Sequence, residues 1–196
     1  MKYRVIQWGT GNVGLHSLRH LIRHPQFELV GLHAYSARKQ GLDAAAIAGF
    51  AGEATGVLAT NDVDALLALK PDVVVYTANG ELRPDEAVAD MAKILRAGIN
   101  VASTALIYMI YPPHADAGIR EPLAQACREG NSTLFVNGMD PGFSGDVLPL
   151  AALQLSDQVE EIRVQEICDY SSYVDPDFTG MAFGFGRPES EVPIMA

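Results

Sequence analysis

Six residues near the start of the chain constrain its fold more than any others: Gly9-Thr10-Gly11-Asn12-Val13-Gly14, spaced G-x-G-x-x-G. Many loops match that spacing by chance, so its meaning depends on what surrounds it. Tyr3 to Trp8 is a β-rich run leading straight into the first glycine. Asn12 to Arg23 places Val13, Leu18, Leu21 and Ile22 at helical spacing. Pro25 stops that helix, and Phe27 to His33 reads as a second strand. Strand, glycine turn, amphipathic helix and strand follow one another within about 25 residues, the setting in which the spacing cradles a diphosphate. Gly9 permits the tight turn, Gly11 lets backbone approach the phosphates, and Gly14 lets the helix pack close to the strand. The helix N-terminus then offers unpaired N–H groups and a partial positive charge.

The strand–helix alternation continues downstream. Val57 to Thr60 is a short strand, and Asp62 to Leu69 a helix capped by Asn61 or Asp62. Asp72 to Thr77 is almost uniformly apolar, as a strand buried on both faces must be. Pro84 suits the first turn of a helix running to Ala97, with Gly98 as its stop. Asn100 to Ala102, Ala115 to Glu129 and Thr133 to Asn137 continue as strand, helix and strand. Right-handed crossovers then predict an α/β fold of Rossmann type, a doubly wound parallel sheet, over residues 1–143. Beyond it, Asp146 to Leu155 reads as a helix and Glu160 to Tyr173 as one long strand. Residues 144–196 therefore read as the start of a second α/β domain with an open sheet, serving substrate binding or dimerisation and cut short.

Composition narrows the function classes. A formal charge of −10 argues against a protein that neutralises a nucleic-acid backbone. No stretch approaches the roughly 20 uncharged apolar residues of a membrane-spanning helix, and the N-terminus carries no secretory apolar region. Cys127 and Cys168 are far apart, outside metal-ligand spacing, and read as reduced, buried thiols of a cytoplasmic protein. His16, His20 and His24 stack on one helical face that lies opposite Leu18 and Ile22, so they read as a solvated stripe rather than metal ligands.

The end of the second strand bears on which dinucleotide fits. An Asp or Glu there would accept hydrogen bonds from the ribose hydroxyls of NAD. The chain instead reads His33-Ala34-Tyr35-Ser36-Ala37-Arg38-Lys39, with no carboxylate until Asp43. Ser36 can donate to a 2′-phosphate and Arg38 can pair with it in forked geometry, so NADP is preferred and NAD remains possible. The nicotinamide end is expected over the later strand ends, beside Thr77, Ala78, Asn79, Ser103 and Thr104.

Val5 to Gly14, His24-Pro25, Glu28 to Gly31, Ala102-Ser103-Thr104, Tyr111-Pro112 and Asn137 to Phe143 together resemble the dihydrodipicolinate-reductase-like oxidoreductases, and within them 2,4-diaminopentanoate dehydrogenase and the native amine dehydrogenases. The resemblance covers about residues 3 to 173. It implies hydride transfer between NAD(P)H and an imine, amine or carbonyl carbon, a small amine or ketone as substrate, and a homodimer. It also implies a substrate pocket near Leu106, Tyr108, Asp140, Pro141 and Gly142. Members carry a glutamate between the Ser-Thr segment and the Tyr-Pro pair; this chain has Ala105 to Ile110 there, with no carboxylate. Tyr108 is the one residue of that span able to exchange a proton, and its ordinary pKa near 10 suits a donor rather than a base. The missing glutamate also keeps open a second reading, an NADP(H)-binding sensor or assembly partner without turnover.

Overall fold

The structure, a computed structural model, describes residues 1–173 and 175–193. The chain divides into two compact units, Met1–Pro141 and Gly142–Ala196.

The first unit is built on six strands: β1 (Tyr3–Trp8), β2 (Phe27–His33), β3 (Ala59–Thr60), β4 (Val73–Tyr76), β5 (Asn100–Ser103) and β6 (Leu134–Val136). All pair in parallel, in the order β3-β2-β1-β4-β5-β6. This is the doubly wound Rossmann order expected from the alternation of elements, with its reversal between β1 and β4. Helices α1 (Asn12–Arg23), α2 (Ala44–Ala48), α3 (Val63–Ala68), α4 (Pro84–Arg96) and α5 (Ala117–Gly130) connect the strands. Asp62 caps α3, its carboxylate accepting from Ala65 N at 3.0 Å. Pro84 opens α4, and Gly98, at φ +79°, follows its last turn in the left-handed conformation that a Cβ disfavours.

Two apolar layers hold the sheet. Ile6, Trp8, Val74, Tyr76 and Val101 pack with Met91, Ile94, Leu95 and Leu123 of α4 and α5 on one side. On the other, Leu18 of α1 packs with Leu32, Ala44 and Ala48. Each fully buried Leu or Ile contributes about 1.5–3 kcal/mol of transfer free energy to these layers.

A π-helical stretch, Met139–Val147, runs across the boundary between the units, and the second unit holds α6 (Leu148–Leu153) and α7 (Pro176–Ala182). The long strand expected over Glu160 to Tyr173 does not form: residues 161–169 carry no regular element, and Tyr170–Ser172 is a short 3₁₀ turn. A strand exists only as one side of a ladder, and among its described residues the second unit holds no strand to pair with it. The expectation of two buried thiols is also corrected, since Cys127 is half-buried and Cys168 exposed, both unbridged. Among the described residues no helix is long and apolar enough to cross a membrane, and no group of His, Cys, Asp or Glu is arranged to hold a metal ion.

Candidate cofactor site

The reversal of strand order opens a crevice above the carboxyl ends of β1 and β4, and the glycine loop leaves β1 at that point. Gly9 has φ +96°, and a Cβ there would press on the backbone of Thr77 and Ala78 at 3.1–3.3 Å. A Cβ on Gly14 would lie 2.3 Å from the Gly9 carbonyl oxygen and 2.9 Å from Thr77 Oγ1. Around Gly11 the situation is the reverse, with nothing within 4 Å of the Cβ position. Two glycines thus close the packing of loop, helix and strand, and the middle one keeps bare backbone facing open space. The first turn of α1 has no acidic residue and no side-chain cap, which leaves its N–H groups free for an anion.

Gln7, fully buried beneath this loop, holds it in place. Its amide donates to Gly9 O at 2.9 Å and to Thr77 Oγ1 at 2.8 Å, and its Oε1 accepts from Ser17 Oγ at 2.7 Å. Thr77 in turn donates to Trp8 O at 3.0 Å. One side chain therefore joins β1, the glycine loop, β4 and α1, and every one of its polar atoms is satisfied. It does not stand out in the sequence, because one glutamine inside a strand carries no spacing signal.

A cavity of about 400 Å³ lies against the loop, lined by Gly9, Thr10, Gly11, Tyr35, Ser36, Lys39, Thr77, Ala78, Asn79 and Arg83. This lining holds two cations and no carboxylate, in a chain of net charge −10. Lys39 Nζ donates to Thr10 O at 2.7 Å and Thr10 Oγ1 at 3.1 Å, so its charge sits at the loop tip. Asp43, the nearest carboxylate along the chain after β2, is occupied with Ala45 N at 2.8 Å, Gly56 N at 2.8 Å, and both the N and Oγ1 of Thr55. The bare loop, free helix N-terminus and cationic wall suit a diphosphate with further negative charge beside it.

The sequence-derived residues are distributed unevenly over this geometry. Gly9, Thr10, Gly11, Ser36, Thr77, Ala78 and Asn79 share the cavity. Asn12, Val13 and Gly14 form the first turn of α1 behind it. Arg38 is exposed and does not line the cavity; its neighbour Lys39 does, as does Arg83 from the turn before α4. The Thr77 hydroxyl is consumed between β1 and β4, and Asn79 Oδ1 accepts from Leu82 N at 3.0 Å. Ser103 is buried and folded onto Ala105, accepting from its N at 2.9 Å, while Thr104 is exposed beside it. Leu106 is fully buried in the core at φ +59°. Asp140 and Pro141 are exposed and joined by a cis peptide bond, and Gly142 opens the second unit.

Tyr108 is half-buried in the 3₁₀ turn Ile107–Ile110. Burial, and then the charge of Glu81, push its phenol above the ordinary tyrosine value. Glu81 comes from the β4–α4 loop and accepts from Ile107 N at 3.1 Å through Oε1. A carboxylate therefore does stand beside the 105–110 segment, supplied from a neighbouring loop that no spacing rule would have singled out.

The parallel sheet, its strand order and the glycine turn at the reversal define a doubly wound α/β domain of Rossmann type. No family model matches the chain. It is 40% identical over 190 residues to an amine dehydrogenase of Streptomyces virginiae, a stretch covering 97% of this chain and 52% of that protein. The chain thus spans about half the length of the curated relative it matches, and the resemblance to amine dehydrogenases read from the sequence is borne out. Among solved structures, the amine dehydrogenase of Mycobacterium smegmatis aligns with a TM-score of 0.68 and 23% identity, over 80% of this chain and 44% of that one. GenD2 from gentamicin A biosynthesis, solved with NAD, aligns at 0.54 and 20% identity over 80% and 39% of the two chains. Biliverdin reductase from Synechocystis, solved with biliverdin and NADP+, aligns at 0.54 and 21% over 79% and 42%. These structural likenesses establish the fold.

Proposed function

We propose that this chain carries the nicotinamide-dinucleotide-binding part of an oxidoreductase that moves a hydride to or from an amine, imine or carbonyl carbon. The observation that carries the proposal is the glycine cradle at the sheet's reversal, with Gly11 bare toward open space and two cations on the wall beside it. The similarity to an amine dehydrogenase along nearly the whole chain supports the choice of reaction.

In this reading the N–H groups of residues 11–14 hold the diphosphate, and Gln7 keeps the loop from collapsing into that space. Ser36, Lys39 and Arg83 line the cavity as a hydroxyl and two cations, a set suited to an adenosine 2′-phosphate, and this supports NADP over NAD. Lys39 takes the role that pattern alone gave to Arg38. When bound, the cofactor's nicotinamide ring supplies or accepts the hydride. Asn79, which lines the cavity, is the residue we assign to the ring's carboxamide. Tyr108, kept protonated by burial and by the charge of Glu81, is the proton donor on the substrate side. Residues 142–196 contribute to a substrate and dimerisation domain in this reading, and the working enzyme is a homodimer.

Titrating the protein with NADPH and NADH separately tests the cofactor reading; NADPH should bind tenfold or more tightly, a difference of about 1.4 kcal/mol. Failure to bind either dinucleotide would remove the proposal. NADPH oxidation with a panel of small ketones plus ammonia tests the reaction, and binding without turnover on every substrate would favour the sensor reading instead.

A further inference from the structure

The loop between β4 and α4 faces two ways. Asn79 and Arg83 line the cavity, whereas Glu81 between them does not and reaches instead to the segment that follows β5. Asn79 Oδ1 accepts from Leu82 N at 3.0 Å, which closes the loop on itself. Gly80 is buried, and a Cβ there would lie 2.8 Å from Ala105 Cβ and 3.1 Å from Leu106 N. The loop and residues 105–106 therefore meet with no room for a side chain between them.

The segment met in this way has little support of its own. Leu106, at φ +59°, takes a left-handed conformation that costs a residue with a Cβ on the order of 1–2 kcal/mol. It also stands directly before the 3₁₀ turn Ile107–Ile110, where a Ser, Thr, Asp or Asn would accept from one of the turn's unpaired N–H groups. The apolar side chain of Leu106 accepts none. Glu81 supplies what Leu106 lacks, its Oε1 accepting from Ile107 N at 3.1 Å. A carboxylate makes that bond stronger than a neutral acceptor would. The next residue in the turn is Tyr108, which packs against the main core cluster.

We infer that Glu81 is the positioning residue of the 105–110 segment, capping its turn from a separate loop and so fixing where Tyr108 stands. The inference rests on the reading of Tyr108 as proton donor and deepens it. A donor must be held within hydrogen-bond reach of the reacting group, so a loosened turn lowers the rate of the chemical step. Dinucleotide affinity is set elsewhere, by the glycine loop and Lys39, and Glu81 leaves it alone.

The parent chain, Glu81→Ala and Glu81→Gln are compared by amide hydrogen exchange over residues 105–110, by NADPH titration and by turnover on amines and ketones. Glu81→Ala should exchange at least about tenfold faster over that segment, and Glu81→Gln, which keeps an acceptor without the charge, about threefold faster. NADPH affinity should stay within about twofold of the parent in both variants. In Glu81→Ala kcat should fall about tenfold or more, and Glu81→Gln should recover most of that loss. Parent-like exchange over 105–110 in Glu81→Ala overturns the inference, as does a loss of NADPH affinity equal to the loss in kcat. A parent that binds NADPH but turns over no amine or ketone overturns the oxidoreductase reading instead, and the exchange measurement still decides whether Glu81 holds the turn. Should Glu81→Ala fail to fold, Glu81→Asp, one methylene too short to reach Ile107 N, must show the faster exchange or the inference falls.

Discussion

Two segments of this chain read as strands, Tyr3 to Trp8 and Glu160 to Tyr173, and they end in opposite states. In β1, Val5, Ile6, Gln7 and Trp8 are completely buried, with β2 on one side and β4 on the other. In the second unit, Ile162 and Val164 are about half exposed, Ile167 is 89% exposed, and no ladder forms over residues 161–169. The contrast separates two requirements that sequence patterns blend. The side-chain pattern decides which faces of a strand can be buried, but a strand becomes ordered only when neighbouring strands satisfy its backbone. β1 has two neighbouring strands and two helical layers; among the described residues of its own unit the later segment has no neighbouring strand.

The comparison can be broken most severely at the glycine loop. Gly14→Val places a branched side chain where even a Cβ meets the Gly9 carbonyl oxygen at 2.3 Å. The expected result is at least a 100-fold loss of dinucleotide affinity, about 2.7 kcal/mol, read by titration. A variant that bound normally would show that the loop is not the cradle. Gln7→Leu should come next. It strips three hydrogen bonds from a buried position, costs about 2–3 kcal/mol and lowers the unfolding midpoint by roughly 5–10 °C in a thermal melt.

A smaller effect is tied to pH. Burial, partly offset by the charge of Asp90, lowers the His33 pKa to about 4. The folded state therefore disfavours the imidazolium, whereas the unfolded chain protonates near 6.5. The stabilisation is complete above about pH 6.5 and is lost progressively as the pH falls toward about 4, with a slope of at most ~1.4 kcal/mol per pH unit. Denaturant melts from pH 7 to 4 should show this slope, and His33→Phe should flatten it. All five histidines precede residue 115, so the second unit contributes no histidine titration of its own. The smallest effect is expected at Ile167, where Ile167→Ser should change stability by no more than about 0.5 kcal/mol. A loss of several kcal/mol in that variant would mean that the exposed segment is ordered in the protein by a partner.

Much of the first unit was legible without coordinates because its signals are local. The glycine spacing, the Pro84 start and Gly98 stop of α4, and the unbroken apolar run before Thr77 each act within a few residues, and the strand order follows from right-handed crossovers. The cavity's side chains were harder to assign. Ser36-Ala37-Arg38-Lys39 announces cations beside a phosphate, but which of two adjacent cations turns inward depends on the 3₁₀ turn over Ala37–Lys39. Pattern favoured Arg38; the geometry brings Lys39 to Thr10. Tyr108 was singled out within its own segment, while the carboxylate beside it, Glu81, comes from another loop.

The order of residues alone determined a parallel doubly wound sheet with a glycine turn at its reversal, because turns, helix ends and burial periodicity are properties of short windows. Tertiary structure alone decided that Gln7 braces that turn, that Arg83 joins the wall of the cavity beside it, and that Asp90 anchors a tyrosine 55 residues away in the chain. Such contacts are made where separate strand ends converge, and a convergence of distant segments leaves no periodicity along the chain by which to read it.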